Sequence, residues 1–137
     1  MSTTRPQRYA TQSLGYPRIG KDREIKRALE AYWKGGEGVQ GLMRVFWETA
    51  EAGWRAQLDA GIEHIGVGDA TLYDLMLDWA VRFGLIPARY RDLVGLDRYF
   101  AMARGAPGVP ALEMTKWFDT NYPSLVPEVD ADLLAEG

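Results

Sequence analysis

Apolar residues recur in two rhythms along this chain, and the switches between them predict alternating short strands and longer helices. Residues 13–16, with Leu14 and Tyr16, read as a first strand led in by Tyr9 and Ala10 and stopped by Pro17 and Gly20. Ile25, Ala28, Leu29, Tyr32 and Trp33 then keep the spacing of one buried helical stripe, with Asp22 as the expected cap and Lys34-Gly35-Gly36 as the stop. A longer helix follows, its stripe formed by Val39, Leu42, Met43, Phe46, Ala50, Trp54 and Leu58, and Gly61 ends it. Residues 62–67 are short, largely apolar and bounded by glycines, as a buried second strand would be. Asp69 or Thr71 is the expected cap of the next helix, whose stripe is Leu72, Leu75, Met76, Trp79 and Phe83, closed by Gly84. Helical pieces at 88–93 and 97–104 lead to a third strand at 112–118. There Leu112, Met114, Lys116 and Phe118 alternate with Glu113, Thr115 and Trp117.

Strands alternating with helices imply βα units and an α/β fold with a parallel sheet. About three strands are visible, with covering helices. Closing a barrel takes about eight, so the chain is expected to be the beginning of something larger. Residues 1–12 read as a disordered or extended N-terminus, 13–128 as the folded segment and 129–137 as an acidic tail.

Composition narrows the function. A net charge of −3 argues against general nucleic-acid binding, which needs a broad basic surface. No apolar run approaches the roughly 18 residues needed to span a bilayer, and no signal-peptide pattern opens the chain, so a cytoplasmic location is expected. There is no cysteine and one histidine, His64, which removes disulfides, thiol catalysis and any thiolate or His-rich metal site.

Against this acidic background, Arg18, Lys21, Arg23, Lys26 and Arg27 crowd about three turns at the start of the first helix. Unpaired backbone N–H groups and the helix dipole already attract anions there, so the cluster suits a multiply negative ligand. A solvated helix face is the alternative reading.

Two segments carry a family resemblance. Ser13-Leu14-Gly15-Tyr16-Pro17-Arg18-Ile19-Gly20 with Arg23-Glu24-Ile25-Lys26 resembles the opening of cobalamin-independent methionine synthase. Glu113-Met114-Thr115-Lys116-Trp117-Phe118-Asp119-Thr120-Asn121-Tyr122 resembles a second signature of the same N-terminal domain. Ala60-Gly61-Ile62, Val67-Gly68-Asp69 with Tyr73-Asp74, and Ile86-Pro87-Ala88-Arg89 fall between them in the family's order.

The resemblance implies a (βα)8 TIM-barrel-like N-terminal domain, here partial. It also implies an enzyme of methionine biosynthesis, a methyltransferase moving a methyl group from 5-methyltetrahydropteroyl-polyglutamate to homocysteine. It places zinc in a C-terminal barrel, where the metal would make the homocysteine thiolate available at neutral pH. To this chain it assigns contact with the folate polyglutamate tail, through Arg23, Glu24, Ile25, Lys26 and Lys116. Arg18 joins them on its chemistry. No catalytic residue, metal ligand or cofactor is expected in this chain, which would be non-catalytic alone. Pro123-Ser124 departs from the family pattern, which continues His-Tyr at that point.

Asp69 could touch a ligand or cap a helix. His64 reads as a satisfied core or edge histidine, and the tryptophans as packing residues, with Trp117 beside Lys116 as a conceivable pterin stack. Glu113 has no acid/base partner. Alternatives to a synthase segment, completed by the rest of the enzyme, are a free-standing anion or folate binder and a remnant that self-associates through strand edges.

Overall fold

The computed structural model describes residues 9–116, 118–120, 123–129 and 131. The chain divides into two units, Met1–Leu72 and Tyr73–Gly137. The first is built on two packed helices, α1 (Glu24–Trp33) and α2 (Val39–Asp59). The expected stripe of α1 is the buried one: Ile25, Ala28 and Leu29 are buried, with Tyr32 and Trp33 half-buried. Lys34 and Gly35, the latter at φ 73°, end the helix where the glycine pair predicted.

The start of α1 differs from expectation. Its N-cap is Arg23, not Asp22, and Arg23 sits in the left-handed region (φ 60°, ψ 39°) without a side-chain capping bond. The Asp22 N–H instead donates to Glu24 Oε2 (3.1 Å), so the carboxylate two residues on serves the turn.

In α2 the buried line is Leu42, Phe46, Gly53 and Gln57, while Val39, Trp47 and Leu58 are half-exposed or more. Complete burial of side chains such as Leu42 and Ile25 stabilises by about 1.5–3 kcal/mol each. Gly53 is buried because the Tyr16 ring lies against it: a Cβ there would meet Tyr16 Cδ1 at 2.9 Å.

The two strands expected in this unit shrink to one isolated parallel bridge, Gln12 to His64. The Ser13 N–H donates to the His64 carbonyl (3.1 Å), and the His64 N–H to the Thr11 carbonyl (3.0 Å). A parallel ladder needs both faces covered, yet Leu14 is 99% exposed and Val67 also faces outward. The His64 side chain is exposed as well, an edge rather than a core histidine.

What secures the bridge is a side chain. Gln57, 2% exposed, accepts from the Gly66 N–H (3.0 Å) and donates to the Gly66 carbonyl (3.1 Å) and the Gly53 carbonyl (3.2 Å). The Ser13 hydroxyl also donates to Gln57 Oε1. Gly66 has to be glycine, since a Cβ would lie 2.7 Å from Gly15 Cα.

The second unit contains α3 (Leu75–Arg82), a 3-10 turn (Ala88–Tyr90), α4 (Gly95–Arg104) and two short strands, β1 (Met114–Lys116) and β2 (Pro123–Leu125). Asp74, not Asp69 or Thr71, caps α3, accepting from the Leu77 N–H (2.9 Å). Leu77 and Ala80 are its buried residues. Met76, Trp79 and Phe83, placed on the buried stripe by spacing, are exposed; Trp79 and Phe83 stack on each other (5.6 Å), with Arg82 over the Trp79 ring (5.0 Å).

The third expected strand is shorter, and it pairs antiparallel, not parallel: Met114 faces Leu125, Thr115 faces Ser124 and Lys116 faces Pro123. All three β1 residues are exposed, so the alternation does not mark two differently buried faces. Pro123, lacking an N–H, occupies the first position of β2, where a strand tolerates it. The unit's buried residues include Tyr90, Tyr99, Phe100, Met102, Leu112 and Leu125. Glu128, the last residue of the expected folded segment, is held by Arg89 through two bonds (2.5 and 2.6 Å). Among the described residues, β1 and β2 form the only sheet. The structure is thus mixed helix and strand; three parallel strands of a barrel are not what it displays. Trp117, Asn121, Tyr122 and Asp130, and residues 1–8 and 132–137, lie outside the described residues.

Candidate functional site

Five of the six sequence-predicted site residues gather in one turn and the helix it opens. The turn is tightly tied. Arg23 N–H donates to the Gly20 carbonyl (3.2 Å), and Ile25 N–H donates to the Ile19 carbonyl (3.3 Å). Gly20 takes φ 82°, and a Cβ on it would meet Glu24 Oε2 at 1.9 Å, so the Glu24 carboxylate folds directly over the glycine.

The five residues have different occupations. Ile25 is 1% exposed, a core side chain whose N–H is already used. Glu24 stabilises the turn through Asp22 and Gly20. The half-buried Arg18 sends Nη1 to the carbonyls of Thr71 (3.5 Å) and Leu72 (3.3 Å). Arg23 and Lys26 are exposed at the helix start, and Lys26 lies 3.8 Å from Glu30. Lys116 is exposed at the end of β1 in the second unit.

Two more cations of the cluster, Lys21 and Arg27, line a groove of about 830 Å³ between α1 and α2, with Tyr16, Glu24, Glu37 and Glu48 also on its walls. Charges of both signs therefore face that groove, whereas Arg23 and Lys26 are not part of its lining.

Asp69 holds the approach to the turn. Its carboxylate accepts the Tyr16 N–H and covers Gly15, where a Cβ would meet Oδ2 at 2.5 Å. Asp69, Arg18, Ile25 and Phe46 line one small cavity of about 20 Å³ beneath it. Sequence reasoning missed this partnership because the bond joins residues 53 apart. The one local signal was a carboxylate directly after a short strand.

The sequence over residues 10–135 matches the family model described as the N-terminal domain of cobalamin-independent synthase. This chain belongs to that family. It is 61% identical over 122 residues to a 5-methyltetrahydropteroyltriglutamate–homocysteine methyltransferase of Synechococcus sp. (strain JA-2-3B'a(2-13)), covering 89% of this chain and 16% of that protein. Proteins of the same name from Thermosynechococcus vestitus (57% identical over 119 residues) and Streptomyces coelicolor (50% over 121) match 87% and 86% of the chain. The chain spans about 16% of the length of each of these three relatives. It is an N-terminal-domain segment of the cobalamin-independent methionine synthase family.

The zinc that the family implies does not fit this donor set. The chain has no cysteine, its one histidine is exposed, and among the described residues no three metal-ligating side chains gather. Among those residues, no helix is long and apolar enough to cross a membrane.

Proposed function

We propose that this chain holds the polyglutamate tail of a 5-methyltetrahydropteroyl substrate for a cobalamin-independent synthase that methylates homocysteine, and is non-catalytic alone. Exposed cations at the first turn of a ten-residue helix whose N-cap makes no side-chain bond carry this reading. Carboxylates bind well where clustered cations stand at the positive end of a helix dipole. Arg23 and Lys26 are the principal contacts. Arg18 and Glu24 shape the turn, Ile25 anchors it, and Lys116 is assigned a tail contact on the resemblance alone.

The fold proposed is the opening of a (βα)8 barrel, a reading supported by family membership and the parallel bridge between Gln12 and His64. The rest of the synthase is the proposed partner and the cytoplasm the proposed location.

Calorimetric titration of the full chain with mono- and triglutamylated 5-methyltetrahydropteroyl ligands tests the reading. Lys26→Ala and Lys116→Ala should each weaken triglutamyl binding about fivefold, the equivalent of about 1 kcal/mol for an exposed charge contact. The monoglutamyl form should change less. Equal losses for both ligands, or no heat at millimolar triglutamyl ligand, would overturn it.

A further inference from the structure

We infer that Asp69 is a positioning residue for the basic turn, acting on a bound anion only through the backbone it holds. The inference rests on the tail-binding reading above.

Two chain segments, 15–18 and 69–72, are pinned to each other from both sides. The Asp69 carboxylate takes the Tyr16 N–H, and Arg18 Nη1 reaches back to the Thr71 and Leu72 carbonyls. Thr71 is 4% exposed, so the receiving segment is itself fixed. Gly15 lets the carboxylate lie over the backbone, which any side chain would block. Beyond Arg18 the turn closes on itself through Gly20, Arg23, Ile19 and Ile25. Little slack therefore separates the Asp69 bond from the start of α1, and the direction in which Arg23 leaves the turn depends on it.

The charge of Asp69 has the wrong sign for a contact with a polyanion. A carboxylate near glutamyl carboxylates repels them, so removing that charge would tighten binding if Asp69 acted on the ligand directly. A positioning role gives the opposite sign. It also separates charge from geometry, because an asparagine keeps an acceptor for the Tyr16 N–H without the charge.

Triglutamyl ligand is titrated into the unaltered chain, Asp69→Ala and Asp69→Asn, with hydrogen exchange followed at the Tyr16 amide. Asp69→Ala should lose about tenfold in affinity, the size of a lost bond to a charged acceptor. It should also lose protection at Tyr16 while α1 stays protected. Asp69→Asn should stay within about twofold of the unaltered chain in affinity and keep Tyr16 protected. Tighter binding by both variants, equal loss in both, or an Asp69→Ala chain that binds normally would each overturn the inference and leave the tail reading standing. No binding by the unaltered chain would overturn the tail reading itself, and the inference with it; the Tyr16 exchange would then still report whether the latch exists.

Discussion

The side-chain amide of Gln57 and the backbone peptide of Gly66 bond to each other in both directions, N–H to Oε1 at 3.0 Å and Nε2 to carbonyl at 3.1 Å. A helix side chain here does what a neighbouring strand does in a sheet. Gln57 is nearly fully buried, so its loss leaves donors and acceptors unpaired away from water. Gln57→Ala should destabilise the chain by about 2–3 kcal/mol in urea unfolding. A change below about 0.5 kcal/mol would mean water replaces the amide at no cost.

Close approach of backbone at Gly66 makes a second expectation. Gly66→Ala would place a methyl 2.7–2.8 Å from Gly15 Cα and N, which the bridge cannot admit without shifting. A loss of about 2 kcal/mol or more is expected, in the range of other overpacking changes. Gly68→Ala is the control, because a Cβ there meets nothing within 4 Å. It should be neutral to within about 0.5 kcal/mol. Similar losses at both sites would show that the contact with Gly15 is not what matters.

Arg23 occupies a left-handed conformation that costs a residue with a Cβ about 1 kcal/mol and costs glycine little. Arg23→Gly should therefore raise stability by about 0.5–1 kcal/mol in the absence of ligand, after allowing for the looser unfolded chain. The same change should weaken triglutamyl binding. A stability loss on this substitution would mean that the guanidinium contributes more to the fold than the backbone strain takes away.

In the second unit the Tyr90 hydroxyl donates to the Pro110 carbonyl (2.6 Å) from a completely buried ring. Burial pushes the Tyr90 phenol above its ordinary value, an effect that the neighbouring Arg89 partly offsets. The neutral phenol is thus favoured by folding. Its contribution is complete below the unfolded value of about 10 and is lost as pH rises through the higher folded value. Tyr90→Phe should cost about 1 kcal/mol at neutral pH. The gap between the two chains should close as pH rises past about 10. Urea unfolding at a series of pH values measures both, and a gap that widens with pH would reverse the sign argued here.

Local chemistry made the helices of the first unit readable. Ile25, Ala28 and Leu29 follow the helical period and are buried, and the Gly35-Gly36 pair stops α1 because glycine accepts the left-handed turn after a helix. Burial on α3 was not readable, since Trp79, Phe83 and Arg82 satisfy one another at the surface while smaller Leu77 and Ala80 face inward. Apolar spacing pointed to the wrong face. The site divides in the same way. The cations of 18–27 are visible as a cluster, but which of them shape the turn depends on bonds to Thr71, Leu72 and Asp69, more than 50 residues on. Asp69 offered two plausible local roles and has a distant one. Gln57, one of two glutamines in an amphipathic helix, gave no signal at all.

The parallel bridge between Gln12 and His64 also bears on how the first unit assembles. Bringing its ends together closes a loop of about fifty residues, an entropic cost that must be met before the contact returns anything. Helices α1 and α2 need only local contacts and can form first. Their pairing shortens the effective loop and presents Gln57 to the incoming strand. The glutamine that holds the finished bridge is thus carried on an element that folds ahead of it, and mutations at Gln57 should speed unfolding more than they slow folding.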